Sequence, residues 1–75
     1  MKRILYSVAY SKRAGGRSRW MIVKDDGSKE YAVGMSKKKK DAVKKARKKA
    51  KNDRPSRLEV YDRSKSKLTE ENNYD

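Results

Sequence analysis

The sequence predicts a small α+β domain of order β-β-β-α-β, one lysine-rich helix packed on a small antiparallel sheet. Three observations carry this reading. Two short runs of β-branched and aromatic residues precede an Asp-Gly pair, and a third follows it. A segment from Ser36 to about Lys51 then places its apolar residues at helical spacing. Beyond Pro55 the alternation of a strand resumes.

Ile4 to Tyr10 alternates, with Ile4, Tyr6, Val8 and Tyr10 on one face, and reads as the first strand. Ser11 to Arg19 is a loop, its Gly15-Gly16 permitting positive φ. Arg19 to Lys24 is the second strand. Its apolar run suggests burial on both faces or a place near the sheet centre, with Trp20 in the core. Asp25-Asp26-Gly27-Ser28 is a hairpin turn, because Asp-Gly suits a type I′ geometry. Lys29 to Val33 pairs back as the third strand.

Ser36 is the expected N-cap of the helix. Ala42, Val43, Ala46 and Ala50 form one narrow stripe, and small side chains there let the helix lie close on the sheet. Asn52-Asp53-Arg54-Pro55 ends it, since proline cannot continue a helix. Arg57 to Asp62 is the fourth strand, with Leu58 and Val60 inward and Glu59 and Tyr61 outward. Residues 1–67 are read as one domain. Residues 68–75 are either an acidic C-terminal tail, with Glu70-Glu71, or an edge strand, a possible short fifth strand near Leu68.

Composition narrows the function. Among 75 residues, 23 are Lys or Arg and 10 are Asp or Glu, a net charge of +13 that points to an anionic partner. With 44% charged and 33% hydrophobic residues the core must be thin, since a domain of this size buries only roughly 60% of its unfolded surface. The chain has neither Cys nor His, which excludes disulfides, thiolate metal sites, cysteine nucleophiles and the commonest general base. No Walker loop, dinucleotide fingerprint or nucleophile elbow is present. The paired carboxylates Asp25-Asp26 and Glu70-Glu71 sit in a turn and near a terminus. The expectation is a protein that is not an enzyme and uses no cofactor or metal. No apolar stretch approaches the roughly 18 residues of a membrane span, and the start Met1-Lys2-Arg3 lacks the apolar core of a signal peptide, so a cytoplasmic location is expected.

The charge is concentrated. From Ser36 to Lys51 there are ten basic residues and one acid, Asp41, so this segment holds +9 of the +13. Lys37, Lys40, Lys44, Lys48 and Lys51 fall opposite the alanine stripe, with Lys38, Lys45, Arg47 and Lys49 on its flanks. A merely solvated face would alternate Glu with Lys at i,i+4, and this one does not. Lys37 to Lys40 crowd the expected first turn, where the macrodipole disfavours each cation by roughly 0.3–1 kcal/mol. A bound phosphate relieves that conflict, because backbone N–H groups, dipole and lysines all point at it. Lys12, Arg13, Arg17 and Arg19 of the first loop form a second basic patch. Of the aromatics, Tyr10 and Tyr61 are expected to be exposed enough to stack on bases. The expected site is therefore Lys37, Lys38, Lys40, Lys44, Lys48 and Lys51 with Lys12, Arg13, Arg17 and Arg19, binding nucleic acid through its phosphates. The alternative is an adaptor or inhibitor docking on an acidic protein. A membrane surface is disfavoured because the helix lacks a bulky apolar face.

The stretch Gly34-Met35-Ser36-Lys37-Lys38-Lys39-Lys40-Asp41-Ala42, continuing Val-Lys-Lys-Ala-Arg-Lys-Lys-Ala to Ala50, resembles the last helix of the double-stranded RNA-binding domain. That helix begins Gly-x-Ser-Lys-Lys-x-Ala-Lys and follows three antiparallel strands. In the family its first lysines contact phosphates across the major groove, and the loop between the first two strands enters a minor groove. The resemblance implies that Lys37, Lys38 and Lys40 are a phosphate clamp, that the Lys12–Arg19 loop is a groove probe, and that RNA is favoured over DNA. The family's first helix has no counterpart here, and the strand at Leu58 to Asp62 is additional. Residues 17–75 are also similar to a small uncharacterised prokaryotic domain family found in phages. The shared features are Trp20, the helix Ala42–Ala50, Leu58-Glu59-Val60-Tyr61-Asp62 and Asn73-Tyr74. This second resemblance supports the order of elements and implies no activity.

Overall fold

The alanine stripe sets how the chain packs. In a computed structural model, which describes residues 3–12, 18–64 and 66–75, the helix α1 (Lys39–Asn52) buries Ala42, Ala46 and Ala50 completely against one face of a five-stranded sheet. The strands are β1 (Ile4–Lys12), β2 (Ser18–Asp25), β3 (Glu30–Ser36), β4 (Ser56–Tyr61) and β5 (Leu68–Tyr74), in spatial order β3-β2-β1-β4-β5. The α+β class and the order β-β-β-α-β therefore hold, and residues 68–74 form the fifth strand.

The sheet is mixed rather than antiparallel. β1 pairs antiparallel with β2, β2 with β3 and β4 with β5, but β4 lies parallel to β1, with Tyr6 opposite Leu58 and Val8 opposite Val60. The helix is the cause. It carries the chain back along the sheet to the end where β1 begins, so the next strand runs the same way as β1. The core lies between α1 and the sheet: Tyr6, Val8, Trp20, Ile22, Leu58 and Val60 alternate inward along β1, β2 and β4. Trp20 is buried, as expected, but β2 is covered on one face only: Met21 and Val23 point to the face without the helix and are partly exposed.

Helix boundaries differ by a few residues from the sequence reading. Ser36 pairs with Trp20 at the end of β3, so it does not cap the helix; Lys38 is the N-cap, in extended conformation and with no side-chain cap bond. At the other end, the Asp53 N–H donates to the carbonyls of Lys49 and Ala50. The buried Ser56 hydroxyl donates to the Ala50 carbonyl, satisfying a terminal acceptor. The Arg54-Pro55 bond is cis. The turn between β2 and β3 is closed by carboxylates: Asp25 accepts from the Gly27 N–H at 2.9 Å, and Asp26 from the N–H groups of Ser28 and Lys29 at 2.9 and 3.1 Å. Those backbone bonds hold the Asp26 carboxyl below its usual range. Gly27 has φ 93°, which only glycine adopts without strain.

A polar cluster also ties the helix end to the sheet. The Tyr6 hydroxyl donates to the Asp53 carboxylate, which also takes Lys24 Nζ at 3.1 Å. Burial, then the bond to Asp53, pushes the Tyr6 phenol up to about 12, and the same bond with Lys24 holds the Asp53 carboxyl low.

Two outcomes follow from this packing. Ala46→Leu forces bulk between helix and sheet and should cost about 1–3 kcal/mol, read by urea denaturation. Tyr6→Phe should lose about 1.5 kcal/mol at neutral pH. Tyr6 titrates higher when folded than its unfolded value of 10.0, so its stabilisation is complete below pH 10 and is lost as pH rises toward 12. The gap between parent and Tyr6→Phe should accordingly narrow over that range; a gap independent of pH would contradict the assignment.

Candidate nucleic-acid interface

Because Ala42, Ala46 and Ala50 face the sheet, the lysines between them are driven outward. Lys40, Lys44, Lys48 and Lys51 are all exposed along α1, and Lys37 and Lys38 are exposed just before it. The stripe predicted from the sequence is thus continuous on the surface. Its two flanks are not equivalent. Lys45 and Lys49 are exposed, while Arg47 is bound to Glu70 of β5 at 2.7 Å. Lys39 leans inward, its Nζ 3.1 Å from Thr69 Oγ1 and 5.3 Å above the Trp20 ring. Between these two contacts, α1 and β5 border a groove of about 850 Å³ with Val43 and Val60 in its lining and Lys40 and Lys44 on its helix side.

The helix start is an electropositive corner. Lys38, Lys39 and Lys40 occupy the N-cap and the first two helical positions, and Asp41 is the single acid of the first turn. Lys37 lies one residue before the N-cap, a correction to the expected placement of four lysines within the first turn. Arg19, from the start of β2, joins Lys37, Lys38 and Lys45 around a shallow cavity of about 490 Å³ that also contains Ser36 and Asp41. Ser36 Oγ is buried there and, among the described residues, is the one buried side-chain polar atom without a hydrogen-bond partner. Four cations, one acid and the N–H groups of a helix start can together hold an oxyanion.

The loop patch is covered in part. Arg19 is placed as above; Lys12 is described in its backbone, at the end of β1, and Arg13 and Arg17 lie outside the described residues. The paired positions Lys12 and Ser18 put both ends of that loop beside the β3–α1 junction.

A third basic connection was not recognised in the sequence. Since β4 runs parallel to β1, the β4–β5 turn lies at the same end of the sheet as the first loop and the helix start. It brings Arg63 and Lys67, both exposed, to that end. The turn is organised by Asp62, whose carboxylate accepts from Ser64 Oγ and from the Ser66 N–H, each at 3.0 Å. Arg63 stacks 4.7 Å above the Tyr10 ring and donates to its hydroxyl at 3.0 Å. The signal was the Arg-x-Lys-x-Lys run 63–67, legible only once a fifth strand is placed after it.

The aromatics do not form a base-stacking platform. Tyr10 packs edge-on against Trp20 at 5.2 Å, and Tyr61 donates to Glu59 at 3.0 Å; both are half-buried, contrary to expectation. Tyr31, on edge strand β3, is the exposed one.

Among the described residues no group of three acidic side chains is arranged to hold a metal ion, and no helix is long and apolar enough to cross a membrane. No protein-family model, curated protein or solved structure matches the chain.

The uncapped helix start yields a direct test of local conflict. Lys38→Ser supplies a side-chain acceptor for a first-turn N–H and removes a cation from the positive end of the dipole. It should raise stability by about 1 kcal/mol in urea denaturation. A lower stability would mean that Lys38 makes a structural contact.

Proposed function

We propose that this chain is a non-enzymatic, largely sequence-nonspecific nucleic-acid-binding protein of the cytoplasm, which grips backbone phosphates and takes RNA in preference to DNA. The observation that carries this reading is the gathering of Arg19, Lys37, Lys38, Arg63 and Lys67 at one end of the sheet, continuous with the exposed stripe Lys40, Lys44, Lys48 and Lys51. Phosphates, being regularly spaced along a backbone, suit such a row of cations. The rings of Tyr10, Trp20 and Tyr61 are engaged within the fold, which favours contacts that position the protein without reading bases. The preference for RNA rests on the likeness of residues 34–50 to the last helix of the double-stranded RNA-binding domain. Ends of the first loop beside the helix start agree with the way that family spans adjacent grooves.

The test compares two triple variants at one ionic strength. Lys37, Lys38 and Lys40 changed to Gln removes the helix start; Lys29, Lys49 and Arg54 changed to Gln removes equal charge from the opposite end of the molecule. The first should weaken duplex RNA binding at least about tenfold more than the second. Equal losses would reduce the site to bulk charge. With about five phosphates neutralised, log affinity for duplex DNA should fall against log salt with a slope of about −4 to −5, and a slope shallower than about −2 would contradict the charge-driven reading. Capture from lysate with nuclease distinguishes the adaptor reading: one acidic protein retained after digestion, with no affinity for purified duplexes, would replace the present proposal.

A further inference from the structure

The sheet face turned away from α1 has no element over it among the described residues. On the central strand β1 its side chains are small, Ser7 and Ala9, and they leave a depression of about 440 Å³ bordered by Leu5, Val23 and Tyr61. Among the described strand residues its charged ones are Arg19 and Arg57 with Asp25, Glu30, Glu59 and Glu71, so there cations do not dominate although the chain carries +13. Arg57 is bound to both Glu59 and Glu71 within the face.

Along β2 this face reads Arg19, Met21, Val23, Asp25: a cation, two apolar residues, an anion. That pattern is self-complementary. A two-fold axis lying across the strands, level with the midpoint of Met21 and Val23, sets β2 antiparallel over β2 of a second copy. Arg19 then opposes Asp25 of the second copy, and Met21 opposes its Val23, as an isologous interface requires. Met21, long and unbranched, descends beside that Val23 into the depression floored by Ser7 and Ala9. The two lysine helices lie on the outer surfaces, so the strongest like charges are the farthest apart.

We propose that this open face is a homodimer interface, two copies of the chain packing sheet to sheet about that axis. Five strands at about 4.8 Å spacing and about six residues at 3.3 Å rise cover about 480 Å² per copy. A face-to-face pair thus buries on the order of 1,000 Å², the lower end for specific association, and the dimer is reversible. Neither helix takes part, and Arg19, at the rim of the helix-start cavity, is the one residue this interface shares with the nucleic-acid reading.

Sedimentation equilibrium of the full chain, without nucleic acid, tests it. Mass should rise with concentration from 8.7 kDa to twice that value. Met21→Glu or Val23→Lys alone should weaken the dimer at least about tenfold, by burying an unpaired charge. The double variant Met21→Glu/Val23→Lys should recover most of the loss, because the new acid of one copy faces the new base of the other. Arg19→Glu, which sets a carboxylate against Asp25 of the second copy, gives an independent loss should either apolar substitution disturb folding, which circular dichroism melting reports. A monomer at every concentration would overturn the proposal. So would a dimer indifferent to the single substitutions, or a double variant no better than the singles.

Discussion

The close approach of α1 to the sheet governs the rest of this molecule. Three alanines, spaced four residues apart, are the only side chains the helix buries completely, and their methyl groups hold it near β1 and β4. Larger residues would lift the helix and open the thin core. With that stripe committed to the sheet, every lysine between the alanines has to leave the interface, since an unpaired ammonium is costly to bury. A densely charged segment thus becomes an ordered helix, and packing supplies the order that its own charge repulsion opposes.

The same geometry assigns different tasks to similar residues. Arg47 is drawn to Glu70 and Lys39 to Thr69 and Trp20, so both help fasten the helix to β5 and the upper sheet. Lys24 lies beside Asp53, where the Tyr6 hydroxyl completes a lock on the other helix end. Partly buried pairs of this kind fix the helix along its length. Among the cations that remain exposed, Lys37, Lys38, Lys40, Lys44, Lys48 and Lys51 run along the outer side of the helix. Like charges this close repel one another, and the fold leaves that surface strongly positive.

The two sheet faces have opposite characters because only one of them meets the helix. Inward residues of β1, β2 and β4 are aromatic or branched, as a core requires. The outward set mixes small, apolar and paired charged residues. β5 bridges these regimes: Glu70 turns toward the helix and Glu71 toward the other face, each matched by an arginine there. An edge strand with charges on both sides is protected from indiscriminate pairing, which suits a chain with so small a core.

By itself the sequence determined the local elements. Alternation located β1 and β4, a short apolar run located β2, the Asp-Gly pair located the hairpin that leads to β3, the alanine spacing located the helix and the face it buries, and Pro55 located its end. These are short-range signals, set by backbone geometry and turn chemistry. Three other features were decided by tertiary structure. Ser36 was drawn into the ladder by Trp20, which moved the helix cap to Lys38. The polar segment Leu68 to Tyr74 became a strand because β4 offered a free edge and because Arg47 and Arg57, distant in the chain, satisfy its acids. The parallel placement of β4 beside β1 carried Arg63 and Lys67 to the end already occupied by the helix start. No local pattern encodes which strand lies beside which; that depends on where the helix delivers the chain, and so the composition of the basic end emerged only with the fold.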